Sequence, residues 1–236
     1  RHMLALTNAL GEYASVVRVE LATGVVAPLF SQQQWDVEAI DVSADERHLA
    51  VLRNVDGSSK VSVYDREDGM HEIRTIELDQ GVIARLLFNR AGTEIGFGIS
   101  GPQVPGDVFS RTLNSGLMTR WTRGETGGID PESFVMPQTI RYGSFDSDKA
   151  MMNLPRQIPA TVYTPPGRGP FPVLIMIHGG PEAQARPQFS ELIQFPLKQL
   201  LIKSLRRCLA FQRNPSEHLL KFKSEILGND VIKIVG

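Results

Sequence analysis

A single cysteine, Cys208, in 236 residues excludes an internal disulfide framework and leaves no cysteine-based metal site. Long apolar runs are missing as well. Nowhere do about 18 consecutive apolar residues spell a membrane-spanning helix, and no secretory apolar region opens the chain. Neither sign of charge is in excess: 25 Lys and Arg against 26 Asp and Glu give a formal net charge of -1. Basic residues are scattered apart from Lys203, Arg206 and Arg207, so nothing argues for a nucleic-acid or anionic-membrane partner. Arg1-His2-Met3-Leu4 starts directly on strand-like residues, as a chain does when upstream sequence is missing. A cytoplasmic location is expected, and a periplasmic or secreted parent stays open.

Helical periodicity is absent from the first 125 or so residues. Alternating or apolar runs stand there instead, at Ser15–Leu21, Val37–Val42, His48–Leu52, Lys60–Tyr64, Glu72–Leu78, Ile83–Phe88, Glu94–Ile99 and Asp107–Leu113, separated by turn formers such as Asn54-Val55-Asp56-Gly57 and Asn89-Arg90-Ala91-Gly92. Three segments repeat the form strand, polar turn, Gly, strand. Their glycines, Gly24, Gly69 and Gly116, lie 45 and 47 residues apart. A second echo pairs Asp41–Ala50 with Phe88–Gly96. A period of roughly 40–50 residues with four strands each predicts β-propeller blades. Residues 1–125 thus read as two nearly whole blades and a third cut at its start, the last ones of a longer ring.

The pattern changes after Trp121. A glycine-rich linker, Arg123–Gly128, leads to strand candidates at Thr139–Phe145, Gln157–Tyr163 and Pro172–Ile177. The last holds the continuous apolar run Val173-Leu174-Ile175-Met176-Ile177, as a strand covered on both faces of an α/β sheet does. His178-Gly179-Gly180-Pro181-Glu182 follows at once. Glycines after a buried strand let the backbone turn sharply and aim amide N–H groups outward. In α/β-hydrolases a His-Gly-Gly loop after the third strand supplies one N–H of the oxyanion hole, and donors so placed stabilise the charge that develops on an attacked carbonyl. A tight turn with a histidine packed nearby is the plainer reading of the same residues.

Arg141–Asp146, Ile158–Pro165 and Pro170–Glu182 together resemble the start of the catalytic domain of the prolyl oligopeptidase family of serine peptidases, most of all its acylaminoacyl-peptidase and dipeptidyl-aminopeptidase branch. The resemblance implies a propeller ahead of an α/β-hydrolase and a Ser-Asp-His triad acting on short peptides. It implies that Gly180 lends an oxyanion-hole N–H and that Gly179 shapes the turn, with His178, Pro181 and Glu182 completing the loop signature. His178 is not the triad histidine, because the triad order is Ser, Asp, His further along the chain. Residues 126–195 are then the N-terminal part of the peptidase domain. No cofactor and no metal is expected: Asp41, Asp45, Asp65 and Asp68 fall in turns where Asp caps the backbone. Trp35 and Trp121 read as blade-packing aromatics, and His48 and His71 as strand residues without chemistry.

No Gly-x-Ser-x-Gly occurs in the sequence. Without a nucleophile and base, acyl transfer has no first step, so the expectation for this polypeptide is a triad-less, inactive fragment whose parent takes peptide substrates. Residues 196–236 depart from the resemblance. Back-translated and read one base later, Lys203–Leu209 permits Asn-His-Tyr-Gly-Val-Ala-Leu, a strand like the family's, which marks a frameshift near residues 196–202 as the reading of a divergent, partly helical tail. Two alternatives are a propeller-based binding module and an esterase of the same hydrolase fold. Open blades expose strand edges, so poor stability in isolation is expected.

Overall fold

The computed structural model describes residues 1–31, 34–148, 154–167, 171, 173–180 and 183–199. Backbone contacts divide the chain into two compact units, Arg1–Glu125 and Thr126–Gly236. No helix among the described residues is long and apolar enough to cross a membrane.

The first unit is three antiparallel sheets in series. β1 (His2–Thr7), β2 (Ser15–Glu20) and β3 (Val26–Pro28) form the first. β4 (Val37–Val42), β5 (His48–Val55), β6 (Ser58–Asp65) and β7 (His71–Glu77) form the second. β8 (Val82–Phe88), β9 (Glu94–Gly101), β10 (Val104–Thr112) and β11 (Met118–Arg120) form the third. Each strand pairs with its neighbour in sequence. These up-and-down sheets are β-propeller blades. β3 and β11 were not among the apolar runs, because three residues beside a turn give periodicity little to register, and of β1 only its strand-like opening was read.

The repeated glycines mark one place in every blade. Gly24, Gly69 and Gly116 each close the hairpin into the last strand of their sheet, with φ of 72°, 68° and 71°. Only glycine adopts that region without strain. The β5–β6 hairpin uses Asp56 and Gly57 as a two-residue loop, both at positive φ, and the Asn54 carboxamide oxygen accepts the Gly57 N–H at 3.0 Å. Such a loop matches the twist of the strands it joins.

Strand alternation builds the core. Ile95, Phe97 and Ile99 of β9 meet Ala50, Leu52, Val61, Val63 and Ile76 of the second blade, while Leu49 and Val51 face the other way, toward Val16 of the first. Polar ties run between blades two and three as well. The Asp41 carboxylate accepts the Phe88 N–H at 2.7 Å, the Ser59 hydroxyl oxygen accepts the Ile83 N–H at 2.9 Å, and the Arg74 guanidinium donates to the carbonyls of Leu113 and Asn114. Between blades one and two, the Arg53 guanidinium lies 5.3 Å from the Phe30 ring centre and 5.8 Å from that of Tyr64.

In the second unit, β12 (Gln138–Asp148) and β13 (Leu154–Val162) form an antiparallel pair, followed by an extended stretch and helix α1 (Glu191–Gln199). The expected strand over Pro172–Ile177 is not formed among its described residues. A central parallel strand needs a ladder partner on each edge, and among the described residues β12 and β13 pair only with each other. Two-faced packing holds for the first part of the run only: Val173 and Ile175 pack with Ile140, Tyr142 and Ala160, and Leu174 with Val135, Tyr163, Ile193 and Leu197, whereas Met176 is 37% and Ile177 73% exposed. The divergent tail lies outside the described residues from 200 onward.

Candidate functional site

The elements around the His-Gly-Gly loop are fixed by a few side chains. Asp130 caps a short 3-10 turn, Pro131–Ser133, by accepting the Glu132 N–H. Phe134, just beyond it, meets Phe189 edge to face at 5.2 Å. Buried Gln194 clamps α1 to the next residue, its carboxamide oxygen accepting the Val135 N–H and its nitrogen donating to the Val135 carbonyl, both at 2.9 Å. One side chain thereby satisfies both backbone groups of a half-buried residue, which would otherwise cost free energy.

His178, Gly179 and Gly180 are exposed at the end of the extended apolar stretch. Gly180 has φ 76°, a left-handed conformation, and a Cβ built on Gly179 or Gly180 would meet nothing within 4 Å. At Gly180 glycine answers to backbone conformation, not to crowding. His178 lines a cleft of about 150 Å³ together with Thr161, Tyr163, Met176, Ile177, Ala185, Arg186 and Ile193. Pro181 and Glu182 of the loop signature lie outside the described residues.

The cleft is mainly apolar, with the imidazole of His178 and the guanidinium of Arg186 as its ionisable groups besides Tyr163. Tyr163 is 3% exposed, and burial pushes its phenol up to about 12. It stays neutral through the physiological range.

Sequence reasoning placed His178, Gly179 and Gly180 together but missed Tyr163, Met176 and Arg186. Tyr163 and Met176 were legible only as members of apolar runs, and Arg186 follows the loop at no fixed spacing that chemistry requires. Elsewhere, Asp45 and Asp65 cap turns as expected, accepting the N–H groups of Arg47 and of Glu67 and Asp68. Asp41 does not: it sits in β4 and ties two blades together. His48 has a comparable role, with Nδ1 3.1 Å from the Gly92 carbonyl oxygen. Trp121 does not fill a blade interior. It is 64% exposed, its indole N–H donating to the Ser110 hydroxyl at 2.7 Å. Trp35 is 38% exposed.

No protein-family model matches the chain, and no curated protein matches it. Solved structures do. A prolyl endopeptidase studied for inter-domain dynamics in catalysis and specificity superposes with a TM-score of 0.63 at 16% identity, over 83% of this chain and 28% of its own. Prolyl oligopeptidase B from Galerina marginata bound to a 25-residue macrocyclization substrate gives 0.67 at 14% identity, over 83% and 27%. A puromycin-hydrolyzing peptidase of Mycobacterium tuberculosis gives 0.60 at 19% identity, over 79% and 29%. The likeness is one of fold: the antiparallel sheets match the propeller-bearing part of prolyl oligopeptidases. This chain spans less than a third of the length of each of these structures.

Proposed function

We propose that this chain is a portion of a serine peptidase of the prolyl oligopeptidase family, of the acylaminoacyl-peptidase or dipeptidyl-aminopeptidase type, in which residues 1–125 are propeller blades and residues 126–195 begin the hydrolase domain. The observation that carries the reading is the His178-Gly179-Gly180 loop, exposed at the lip of an apolar cleft with Gly180 in a left-handed turn. In this reading the Gly180 N–H stabilises the oxyanion of the attacked peptide carbonyl, Gly179 lets substrate approach closely, and Tyr163, Met176 and Ile193 offer apolar contact to the substrate. The substrate is a short peptide, and the reaction is acyl transfer through a serine ester.

The polypeptide itself supplies no Gly-x-Ser-x-Gly nucleophile elbow. It holds half of an oxyanion hole and no group for that hole to serve, so we assign it no hydrolytic activity of its own. Incubating the purified chain with a fluorophosphonate probe and with aminoacyl nitroanilides tests this. Neither covalent labelling nor nitroaniline release is expected; stoichiometric labelling of any serine overturns the assignment.

A second reading, a propeller-based interaction module, is favoured by one observation. The outer side of the third blade carries Leu87, Val108 and Trp121 at 60%, 48% and 64% exposure.

A further inference from the structure

Two arginines meet at the turn of the β10–β11 hairpin. A Cβ built on Gly116 would lie 3.0 Å from Arg74 Nη1, 3.4 Å from Arg74 Cζ and 3.5 Å from Arg111 Nη2. One guanidinium comes from β7 of the second blade and the other from β10 of the third, so the seam between two four-stranded sheets brings them together. The missing Cβ leaves room for both. A larger residue at this position, besides the strain of φ 71°, would crowd them.

Strand alternation fixes the side on which each arginine stands. Arg74 is opposite buried Val63 in the β6–β7 ladder, and Arg111 is opposite buried Ile95 in the β9–β10 ladder. Both therefore rise from the core side of their sheets, and both are half-buried. Arg74 is held in place. Its Nε donates to the Leu113 carbonyl at 3.0 Å and its Nη2 to the Asn114 carbonyl at 2.9 Å, which leaves Nη1 toward the turn. Arg111 is not held. Its Nε is covered by protein and has no hydrogen-bond partner.

The two charges are uncompensated. Guanidiniums so placed repel each other, and covering an unpaired donor removes water that would otherwise screen them. The acids of the neighbouring strands are turned elsewhere. Glu72 accepts from Thr75, on the side of β7 opposite Arg74, and Glu94 accepts from Ser110, on the side of β10 opposite Arg111. Asp107, on the Arg111 side of β10, is taken by Arg120. Asp65 and Glu67 pair with Arg47, Asp68 with His71, and Glu77 with Lys60. Among the described residues neither Arg74 nor Arg111 has an ion pair.

From this arrangement we propose that the Gly116 turn carries an anion site, that its ligand is a small phosphate, free or as a monoester, and that Arg74 and Arg111 clasp it between their Nη groups. A carboxylate would neutralise only one of the two charges. A phosphate carries about −1.5 to −2 at neutral pH and has acceptor oxygens enough for both guanidiniums. Asn114 and Ser115 of the turn are exposed, so the ligand enters from solvent. All these residues belong to the first unit, and the site stands apart from the peptidase reading.

The test titrates the full chain with inorganic phosphate at constant ionic strength, set with chloride. The amide resonances of Asn114, Ser115 and Gly116 and the Arg111 Nε–H are followed. Saturable shifts at all four in the millimolar range are expected, with acetate weaker by about tenfold or more. Arg111 makes no hydrogen bond among the described residues. Arg111→Gln should therefore abolish the phosphate response and, without phosphate, melt at the wild-type temperature or above it, because a repulsion is removed. Methyl phosphate binding tighter than inorganic phosphate assigns the site to an esterified group, and equal or weaker binding assigns it to the free ion. No saturable shift at tens of millimolar phosphate, equal affinity for acetate, or an undiminished response in Arg111→Gln overturns the proposal. So does a phosphate-free melting temperature of Arg111→Gln well below that of the wild type, which would show that Arg111 already has its partner within the fold.

Discussion

Glu46 and Gly92 stand at the same place in successive blades, in the turns β4–β5 and β8–β9, with φ of 60° and 68°. In each turn the residue donates its N–H to the carbonyl three positions back, Ser43 or Asn89, and the flanking pairs Ser43–His48 and Asn89–Glu94 close identically. A left-handed residue other than glycine costs about 1 kcal/mol or more. Glu46→Gly removes that strain, against the extra freedom glycine gives the unfolded chain, and is expected to leave stability unchanged or raise it by up to about 1 kcal/mol. Gly92→Ala adds both strain and a Cβ that would lie 3.2 Å from Ser43 Cβ and 3.3 Å from Asp45 Oδ1. A loss of about 1–3 kcal/mol is expected. Urea denaturation of the two variants measures both changes.

The buried carboxylate of Asp107 predicts the acid limit of the first unit. It accepts from the Arg120 guanidinium, from the Thr122 hydroxyl at 3.0 Å and from the Gly124 N–H at 2.7 Å. Burial alone would raise its pKa, but these donors, Arg120 foremost, outweigh burial and hold the carboxyl below its ordinary value. A carboxylate depressed on folding contributes stability that is present above its unfolded pKa of about 4 and is lost as pH falls through the folded value. Asp65, where burial opposes and Arg47 and two backbone N–H groups prevail, shifts the same way. Melting temperature should fall steeply below about pH 4, and Asp107→Asn should flatten that fall. Asp107→Ala strands Arg120 and the Gly124 N–H and should cost about 2–3 kcal/mol, the half-exposed Arg120 softening the loss.

Ser59 couples the second and third blades through its own N–H, which donates to the Gly81 carbonyl, and through its hydroxyl, which accepts the Ile83 N–H. Ser59→Ala leaves that amide without its acceptor, and an unsatisfied buried donor costs about 1–3 kcal/mol. Ser59→Thr keeps the oxygen and should retain more of the stability. Hydrogen exchange at Ile83 reports the break directly, since only that amide gains the opening.

At the alkaline end Tyr163 sets the direction. Burial pushes its phenol up to about 12. The unfolded chain therefore loses this proton first, and the stability it contributes is full below about pH 10 and is lost as pH rises toward the folded value. Tyr163→Phe should remove part of the alkaline destabilisation of the second unit, read as thermal melts between pH 9 and pH 11 by circular dichroism, roughly the span over which free tyrosine titrates.

Much of this architecture was legible in the residues. Gly24, Gly69 and Gly116 announced the blade period because each holds a turn that other residues enter only with strain. Val37–Val42 showed as a strand with its observed bounds because apolar and polar positions alternate there. The long hairpin of the second blade was read short on both sides of its turn, since Asn54, Val55, Ser58 and Ser59 pair in a ladder although they look like turn residues. The run Val173–Ile177 carried the opposite lesson. Its burial was right only for Val173, Leu174 and Ile175, while Met176 and Ile177 are exposed and no ladder forms there, because hydrogen-bonded pairing depends on neighbours that periodicity within one segment does not encode. At the candidate site the glycines announced themselves, whereas Tyr163, Met176 and Arg186 converge only through the folding of β13, the extended stretch and α1, and no spacing in sequence foretells that meeting.

In the proposed peptidase reading the loop at His178-Gly179-Gly180 is half of an oxyanion hole, and no Gly-x-Ser-x-Gly elbow for it occurs in the sequence. The coding DNA tests it most directly, read in all three frames from the codons of residues 196–202 onward. We predict an open shifted frame that runs through Tyr-Gly-Val-Ala-Leu and on to a Gly-x-Ser-x-Gly elbow, followed by an Asp and then a His. A shifted frame that closes at once, with no such elbow in any frame downstream, would contradict it.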